Sequence, residues 1–415
     1  MRQLLYLLLF GNFLLFSLTG QGQEKDPLTN PGTYSGLSFR SLGPALTSGR
    51  ISAFAVNPRD HSTYYVATAS GGVWKTSNKG SSFEPIFDRQ GSYSIGTVTL
   101  APEHPHIVWV GTGENNNQRS VNYGDGVYRS LDGGASWKKM GLENSEHIGK
   151  IIVHPENPDV VYVAAYGPLW SSGGDRGVYK TSNGGKDWKR ILKIDEHTGV
   201  ADIAMDPENP DILYAAAHQR RRRTWTYIGG GPGSGIYKTK DGGKDWREVQ
   251  KGLPNTMMGR IGLAVAPSRP STVYAIVEAA MGKGGFYRST DHGESWKKRS
   301  GFSTSGNYYQ EIMVDPNDAD RVYAMNTISH YTEDGGKNFK RLKMENRHVD
   351  DHALWIDPGD SEHMLIGGDG GVYETYDQGH NWSFKANLPV TQFYKVAVDT
   401  DTPFYNIYGG TQDNN

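Results

Sequence analysis

The sequence predicts an all-β protein, a β-propeller of four-stranded blades. Three observations carry that reading: a seven-fold repeat, a strand pattern around each repeat, and a turn-rich composition. The motif Ser/Thr-x-Asp/Asn-x-Gly-x-x-Trp/Phe, as in Ser130-Leu-Asp132-Gly-Gly134-Ala-Ser-Trp137, begins at Thr76, Ser130, Thr181, Thr239, Ser289, Thr332 and Thr375. The steps of 54, 51, 58, 50, 43 and 43 residues match the length of one blade. With 53 Gly, 24 Tyr, 10 Trp and 36% hydrophobic residues, the chain suits sheets and turns better than helices.

Around each box an apolar run ending near Pro, a Val-Tyr-rich run, a Gly-Val-Tyr-Lys-Thr-like run and the segment after the aromatic supply strands A to D. Between Ile148 and Leu192 these are Gly149 to Pro155, Val160 to Ala165, Gly177 to Thr181 and Trp188 to Leu192, each bounded by Gly, Pro or Asn turn chemistry. The box glycines (Gly80, Gly134, Gly185, Gly243, Gly293, Gly336, Gly379) suit a C–D hairpin that needs positive φ. The third box position is Asp132, Asp241, Asp291, Asp334 and Asp377 but also Asn78 and Asn183. A role that Asn fills equally well is acceptance of turn amide hydrogens, so these residues read as structural rather than catalytic. The box aromatics are expected to pack between neighbouring blades, where a large ring supplies the contact that an isolated repeat lacks.

At the N-terminus, residues 1–22 read as a signal peptide: Arg2, an apolar run over Leu4–Phe10 and Phe13–Phe16, then small residues. That predicts an exported protein, periplasmic or extracellular, with no stable membrane anchor after cleavage. No Cys is present, so no disulfide framework or lipidated Cys is available. A formal net charge of −2 gives no electrostatic case for nucleic acid as a partner. Nothing in the sequence calls for a cofactor.

The expected domains are a lead-in over 23–46 with a closing outer strand at Leu37–Leu42, seven blades over 47–390, and the first two strands of an incomplete eighth blade over 391–415. A ring left open in this way is expected to continue past Asn415, as a ten-bladed ring or a second propeller.

If strand A is innermost and starts at one face, the D–A and B–C loops share that face and the boxes lie on the other. Residues opening the A strands then ring the channel mouth: Arg50, Ser94, Lys150, Asp202, Arg260, Glu311, Asp350, Asp351, His352 and Gln392. The B–C loops add Glu114, the Asn115–Asn117 run, Arg119, Tyr166, Trp170, His218, Trp225, Tyr227, Asp369 and Asp413. From these, ligand binding is assigned to Arg50, Glu114, Arg119, Trp170, His218, Trp225, Arg260, Asp350, His352 and Asp369; if catalysis occurs, Asp350, Asp351, Asp369 and Glu311 are its candidates. A period of two places His348, Asp350 and His352 on one side of a strand, and a polar cluster is preferred there to a metal site. The run Arg220–Arg223 with Trp225 and Tyr227 reads either as a solvated loop or as a grip on a sulfated or uronic glycan.

The seven boxes resemble the BNR or Asp-box repeats of sialidases, of xyloglucan-cleaving glycoside hydrolases and of the sortilin/Vps10 propeller. The wording of the blades, with Gly-Val-Tyr-Lys-Thr before the box and His-Pro-Glu-Asn-Pro-Asp before strand B, is similar to large secreted bacterial proteins described as sortilin-like or as glycosyl hydrolases. The resemblance implies the propeller and two activities. A sialidase would need an Arg cluster and a Tyr; Arg50 and Arg260 suit such a set, but no Arg-Ile-Pro precedes the first box. The xyloglucan-cleaving families imply a catalytic Asp at the end of the first B strand, where this chain has Ala69, and a second carboxylate from a second propeller. A protein, peptide or glycan binding scaffold is therefore preferred, with glycoside hydrolysis as the alternative.

Overall fold

The computed structural model describes residue 28 and residues 30–38 and 42–413, and divides the chain into two units, Met1–Gly43 and Pro44–Asn415. The expected signal peptide lies outside the described residues. In the first unit Pro31–Tyr34 form a 3-10 turn capped by Asn30, whose side chain accepts from the Gly32 amide at 3.0 Å. Leu37, Ser38 and Leu42 lie in no strand, and 39–41 fall outside the described residues.

The second unit is a seven-bladed propeller of four-stranded antiparallel sheets. The inner A strands are Ile51–Val56, Ile95–Ala101, Ile148–His154, Thr198–Met205, Met258–Val265, Ile312–Val314 and Asp351–Asp357. Blade 3 shows the pattern, running from its A strand through Asn157–Ala165 and Gly177–Thr181 to Lys189–Leu192. Blade 7 carries its own outer strand, Ser383–Phe384. Among the described residues, helical structure is confined to short 3-10 turns, and no helix is long and apolar enough to cross a membrane.

Each box forms a C–D turn. In blade 2 the Ser130 hydroxyl donates to Asp132 Oδ1 at 2.7 Å and accepts from the Gly134 amide at 2.8 Å, while Asp132 Oδ1 accepts from the Ser136 amide at 2.8 Å. Asn78 accepts from the Thr76 hydroxyl and the Ser82 amide, each at 2.9 Å, as the capping argument requires. Gly134 sits at φ 93°, in the left-handed region that a side chain would strain. Hydrogen bonds, first from the Ser136 and Ser130 hydroxyls, hold the Asp132 carboxyl at about 2, which leaves no proton for acid catalysis near neutrality.

Among the described residues there is no single core. The apolar residues form seven clusters, and each belongs to one interface between adjacent blades. All seven box aromatics (Phe83, Trp137, Trp188, Trp246, Trp296, Phe339, Trp382) sit in these interfaces. Trp188 of blade 3 donates its indole N–H to the Met140 carbonyl of blade 2 at 2.6 Å, and Trp137 reaches back to Ile86 of blade 1 at 2.7 Å. A second recurring device uses a strand C cation lying over a strand B aromatic. Lys75 over Tyr65 and Lys180 over Tyr162 reach the box carbonyls of Gly133 and Gly242 on the next blade, at 2.9 and 2.8 Å.

Blade 7 closes on blade 1. Ile51, Tyr64 and Val66 pack with Ala353, Leu365 and Val372, while the Ser48 and Gly49 amides donate to Val390 and Asp369 carbonyls at 2.8 Å. Among the described residues, hydrophobic packing and these hydrogen bonds join the seventh sheet directly to the first. Phe393–Val398 and Ile407–Thr411 pair with each other as a separate, exposed two-stranded sheet.

Lower on the same seam, His61 of blade 1 contacts Asp357 of blade 7 at 2.8 Å. Asp357 in turn meets His363, whose other nitrogen lies 3.0 Å from Glu374. Burial opposes the His363 charge, but Glu374 and Asp357 outweigh it and raise its pKa. Burial likewise opposes charge on Glu374, yet His363 and Lys385 depress its pKa to about 2. The histidine contribution is complete below about pH 6.5 and is lost as pH rises through the raised value. The carboxylate contribution is complete above about pH 4.5 and is lost as pH falls.

Trp296→Ala, at a box aromatic only 5% exposed, should cost roughly 3–5 kcal/mol in urea unfolding. Asp132→Asn should cost no more than about 0.5 kcal/mol in the same assay, because Asn already fills this role in blades 1 and 3. The melting-temperature advantage of the native chain over His363→Gln should be largest between about pH 4.5 and 6.5 and shrink as pH rises through the raised histidine value.

Candidate ligand site at the channel mouth

Convergence of the A strands determines what faces the channel. In six blades the start of strand A carries a register shift against strand B, between Ile51 and Ala53, Ile95 and Thr97, Ile148 and Lys150, Val200 and Asp202, Met258 and Ile261, and Asp351 and Ala353. A β-bulge at each point turns the strand and re-aims the following side chain. The bulge residue is small where inner strands nearly touch: a Cβ on Gly149 would lie 2.3 Å from the Ala201 carbonyl oxygen. In blade 7 the bulge falls at His352, and Asp350 adopts φ 67°. Strict alternation through His348, Asp350 and His352 is therefore broken, and the three do not share one strand face as their spacing suggested.

At the mouth, the Arg50 guanidinium makes a bidentate pair with Asp369 (Nε to Oδ1 2.6 Å, Nη2 to Oδ2 2.8 Å) and a third bond to Glu114 Oε1 at 2.6 Å. Its flat face lies 4.7 Å from the Tyr308 ring centre. Burial works against its charge, but Glu114 and Asp369 outweigh that and push its pKa up. His352 Nε2 lies 3.1 Å from Asp369 Oδ1, and its ring stacks on Tyr309. Tyr309 donates to Asp350, and Arg347 pairs with Asp351, which also accepts from the Ser329 hydroxyl at 2.6 Å.

The Asn115–Asn117 run does more than close its own turn. Asn115 donates to Glu311 at 3.2 Å, and Asn117 donates its backbone N–H to the Asn307 carbonyl and its side-chain amide to the Gly306 carbonyl, each at 3.0 Å. Arg220 grips the Asn116 carbonyl at 3.0 Å and the Asn117 side chain at 2.8 Å. A blade 2 loop thus crosses the mouth to the segment leading into blade 6. Glu114, Asn116 and Asn117 are buried as a result.

Beneath this brace is a cavity of about 250 Å³ reached by all seven A strands, with Lys150, Asp202, Arg260, Glu311 and His352 in its lining. Lys150 pairs with Asp202 at 2.9 Å, and Arg260 with Glu311 at 3.2 Å. The side chains of Lys150 and Glu311 remain 44% and 32% exposed, so the cavity is wet. Enclosure by protein raises the Glu311 pKa although Arg260 opposes the shift.

The structure brings Arg50, Glu114, His352, Asp369 and Asp350 together, as expected of one mouth, and places Arg260 and Glu311 in the cavity below. His218 is instead buried behind the rim, 2.5 Å from the Tyr166 hydroxyl, where burial and Arg220 lower its pKa to about 3 and keep it neutral. Arg119, Trp170 and Trp225 are exposed. Sequence reasoning missed Tyr308, Tyr309 and Arg347, whose roles depend on partners distant in sequence. The Tyr308-Tyr309 pair just before the sixth A strand was the available signal. Ala69 is buried, with its amide donating to the Arg50 carbonyl at 2.9 Å.

The ring of seven sheets is a propeller related both to the sortilin/Vps10 family and to GH74 xyloglucanases. The family model described as Sortilin, neurotensin receptor 3 (Sortilin-Vps10) matches residues 125–277 and 284–412, and the chain belongs to that family. A xyloglucanase of Paenibacillus sp is 23% identical over 268 residues, covering 59% of this chain and 24% of that protein. The vacuolar protein sorting/targeting protein 10 of Clavispora lusitaniae is 24% identical over 174 residues, covering 39% of this chain and 11% of that one. Among solved structures, the GH74 xyloglucanase of Xanthomonas campestris matches the fold with a TM-score of 0.66 at 15% identity, over 89% of this chain and 59% of that chain. The chain therefore spans a quarter or less of these two curated relatives.

Replacing Arg50 by Met should cost about 3–5 kcal/mol in denaturant unfolding, because Glu114 and Asp369 would be left buried without their cation.

Proposed function

We propose that this propeller is an exported binding scaffold that takes a protein, peptide or glycan ligand on the face formed by its D–A and B–C loops. The observation that carries this reading is the commitment of the mouth carboxylates. Asp369 is paired with Arg50, Asp351 with Arg347, and Asp350 accepts from Tyr309, while Ala69 occupies the position where the xyloglucan-cleaving resemblance calls for a carboxylate. Glycoside hydrolysis needs two carboxyl groups about 5–9.5 Å apart, one of them protonated and both open to the sugar. Groups saturated by buried cations serve a rigid rim better than an acid and a base. Membership of the sortilin/Vps10 family supports the same reading, and export is supported by the n-region and apolar run within residues 1–22.

One observation favours hydrolysis as a second reading. Glu311, with its raised pKa, shares the wet cavity with Asp202, which Lys150 accompanies. Two carboxyl groups, one of them with its pKa raised by burial, thus share one cavity. Against it, the cavity of about 250 Å³ falls short of the roughly 300–1,000 Å³ of usual ligand pockets, and the loop from Glu114 to Asn117 crosses above it.

A glycan and peptide binding screen paired with a reducing-end assay on xyloglucan and related polysaccharides separates the two. Binding without release of reducing ends is the expected result. Release that disappears in Glu311→Gln would replace the scaffold with a hydrolase.

A further inference from the structure

Beside the mouth, six arginines gather from three loops: Arg119 of blade 2, Arg176 of blade 3, and Arg220–Arg223 of blade 4. Among the described residues, none of their guanidiniums has a carboxylate oxygen within 4.0 Å, although Arg50, Arg129, Arg247, Arg260, Arg269, Arg288, Arg321 and Arg347 all form ion pairs elsewhere. Positive charge is concentrated here without a direct ion pair, although Glu146 and Asp195 act on Arg176 from a greater distance.

The cluster has two layers. The inner arginines are held by neutral oxygens. Arg176 donates to the carbonyls of Gly173 at 2.8 Å, Tyr166 at 3.1 Å and Ser171 at 2.8 Å, and Arg220 to those of Asn116 at 3.0 Å and Gly167 at 2.8 Å. Burial and the neighbouring Arg220 and Arg221 lower the Arg176 pKa to about 10, so repulsion is felt but the charge persists at neutral pH. Arg222 spans the layers, donating to the Asn117 carbonyl at 2.5 Å and lying over the Tyr227 ring at 4.6 Å. Among the described residues, the outer guanidiniums of Arg119 and Arg223 make no hydrogen bond to protein, and the buried Arg221 Nε has no partner.

The outer layer stands on a hairpin that blade 4 adds to its B–C connection. Arg221–Arg223 pair with Thr226–Ile228, and the Arg222 amide docks on the Leu169 carbonyl at 2.9 Å, next to Trp170. Trp225 at the hairpin tip is 77% exposed, lies 5.9 Å from the Arg223 guanidinium, and shares the platform with Trp170, itself 42% exposed. A large aromatic left in water costs solvation that a flat apolar surface recovers, and a planar guanidinium matches the two oxygens of a carboxylate or sulfate.

The geometry points to a subsite for an anionic polysaccharide, one whose rings carry carboxylate or sulfate groups, on the platform of Arg119, Arg222, Arg223, Trp170 and Trp225. It rests on the binding reading above and gives that face a ligand class. A sugar ring offers an apolar face to tryptophan and an anion to arginine within one repeating unit. An acidic peptide supplies the anion without the flat face. A single-stranded nucleic acid supplies both, but its phosphates favour a continuous basic track, and this chain has a formal net charge of −2.

Affinity electrophoresis and calorimetry on the full chain would test it with four probes: polygalacturonate, dextran sulfate, poly-glutamate and oligo-deoxythymidine. Polygalacturonate or dextran sulfate should bind best, which of the two deciding the anion, and binding should weaken with added salt. Arg223→Gln and Trp225→Ala, both at exposed positions, should each weaken it about fivefold without changing the melting temperature, and Asp132→Asn should leave it unchanged. Absence of binding to both polysaccharides would overturn the proposal. So would equal binding of poly-glutamate or oligo-deoxythymidine, or indifference to Trp225→Ala. Neutral glycans or peptides that still bind in any of those cases would leave the scaffold reading standing while this one falls.

Discussion

The upper face depends on one buried cation. Arg50, just ahead of the first blade, holds Asp369 of the seventh blade and Glu114 of the second in the same guanidinium plane. Burying such a charge is unfavourable unless every donor is met, and here two carboxylates and the Tyr308 ring surround it. Glu114 is the root of the loop that crosses the mouth, so the cation that joins the two ends of the ring also anchors the brace over its channel. His352 takes its place beside Asp369 because a bulge rotates it there.

The two faces divide the labour of the fold. On the box side, repeated Ser or Thr, Asp or Asn, and Gly build the same turn seven times, and the aromatic at the end of each box fills the interface behind it. On the mouth side the A-strand bulges recur, but the parts that shape the face occur once each: a braced loop from blade 2, a hairpin from blade 4 and a Tyr pair before blade 6. Periodic contacts stabilise a ring regardless of its ligand, whereas recognition needs asymmetry.

That division explains which features could be read from the residues in order. The boxes, their glycines and the presence of Asn78 and Asn183 among the aspartates specify a local turn, and local turns are legible. The inward residues Arg50, Glu114, Asp350, His352 and Asp369 were likewise legible, from strand order alone. Their partners were not. The pairing of Arg50 with Asp369 spans 319 positions, and Asn117 meets Gly306 across 189. Nothing in a window of a dozen residues reports such contacts. The Arg220–Arg223 run looked uniform, yet Arg220 is wholly buried and Arg223 exposed, a distinction created by where the hairpin docks. The bulges escaped for a related reason: one added residue per strand shifts the facing of all later residues in that strand without altering composition.

Six of the seven interfaces between blades are crossed by the polypeptide itself, and the seventh, between the last sheet and the first, is not. Residues 46–50 and 386–391 meet there side by side, with the Thr47 hydroxyl on the Ala386 carbonyl at 3.0 Å and the Ser48 amide on Val390 at 2.8 Å. Tension entering through these two stretches is borne by that joint before it reaches any blade. The ring behaves mechanically as a clasped band rather than a hoop: its strength under load is that of the clasp, however well each of the other six interfaces is filled.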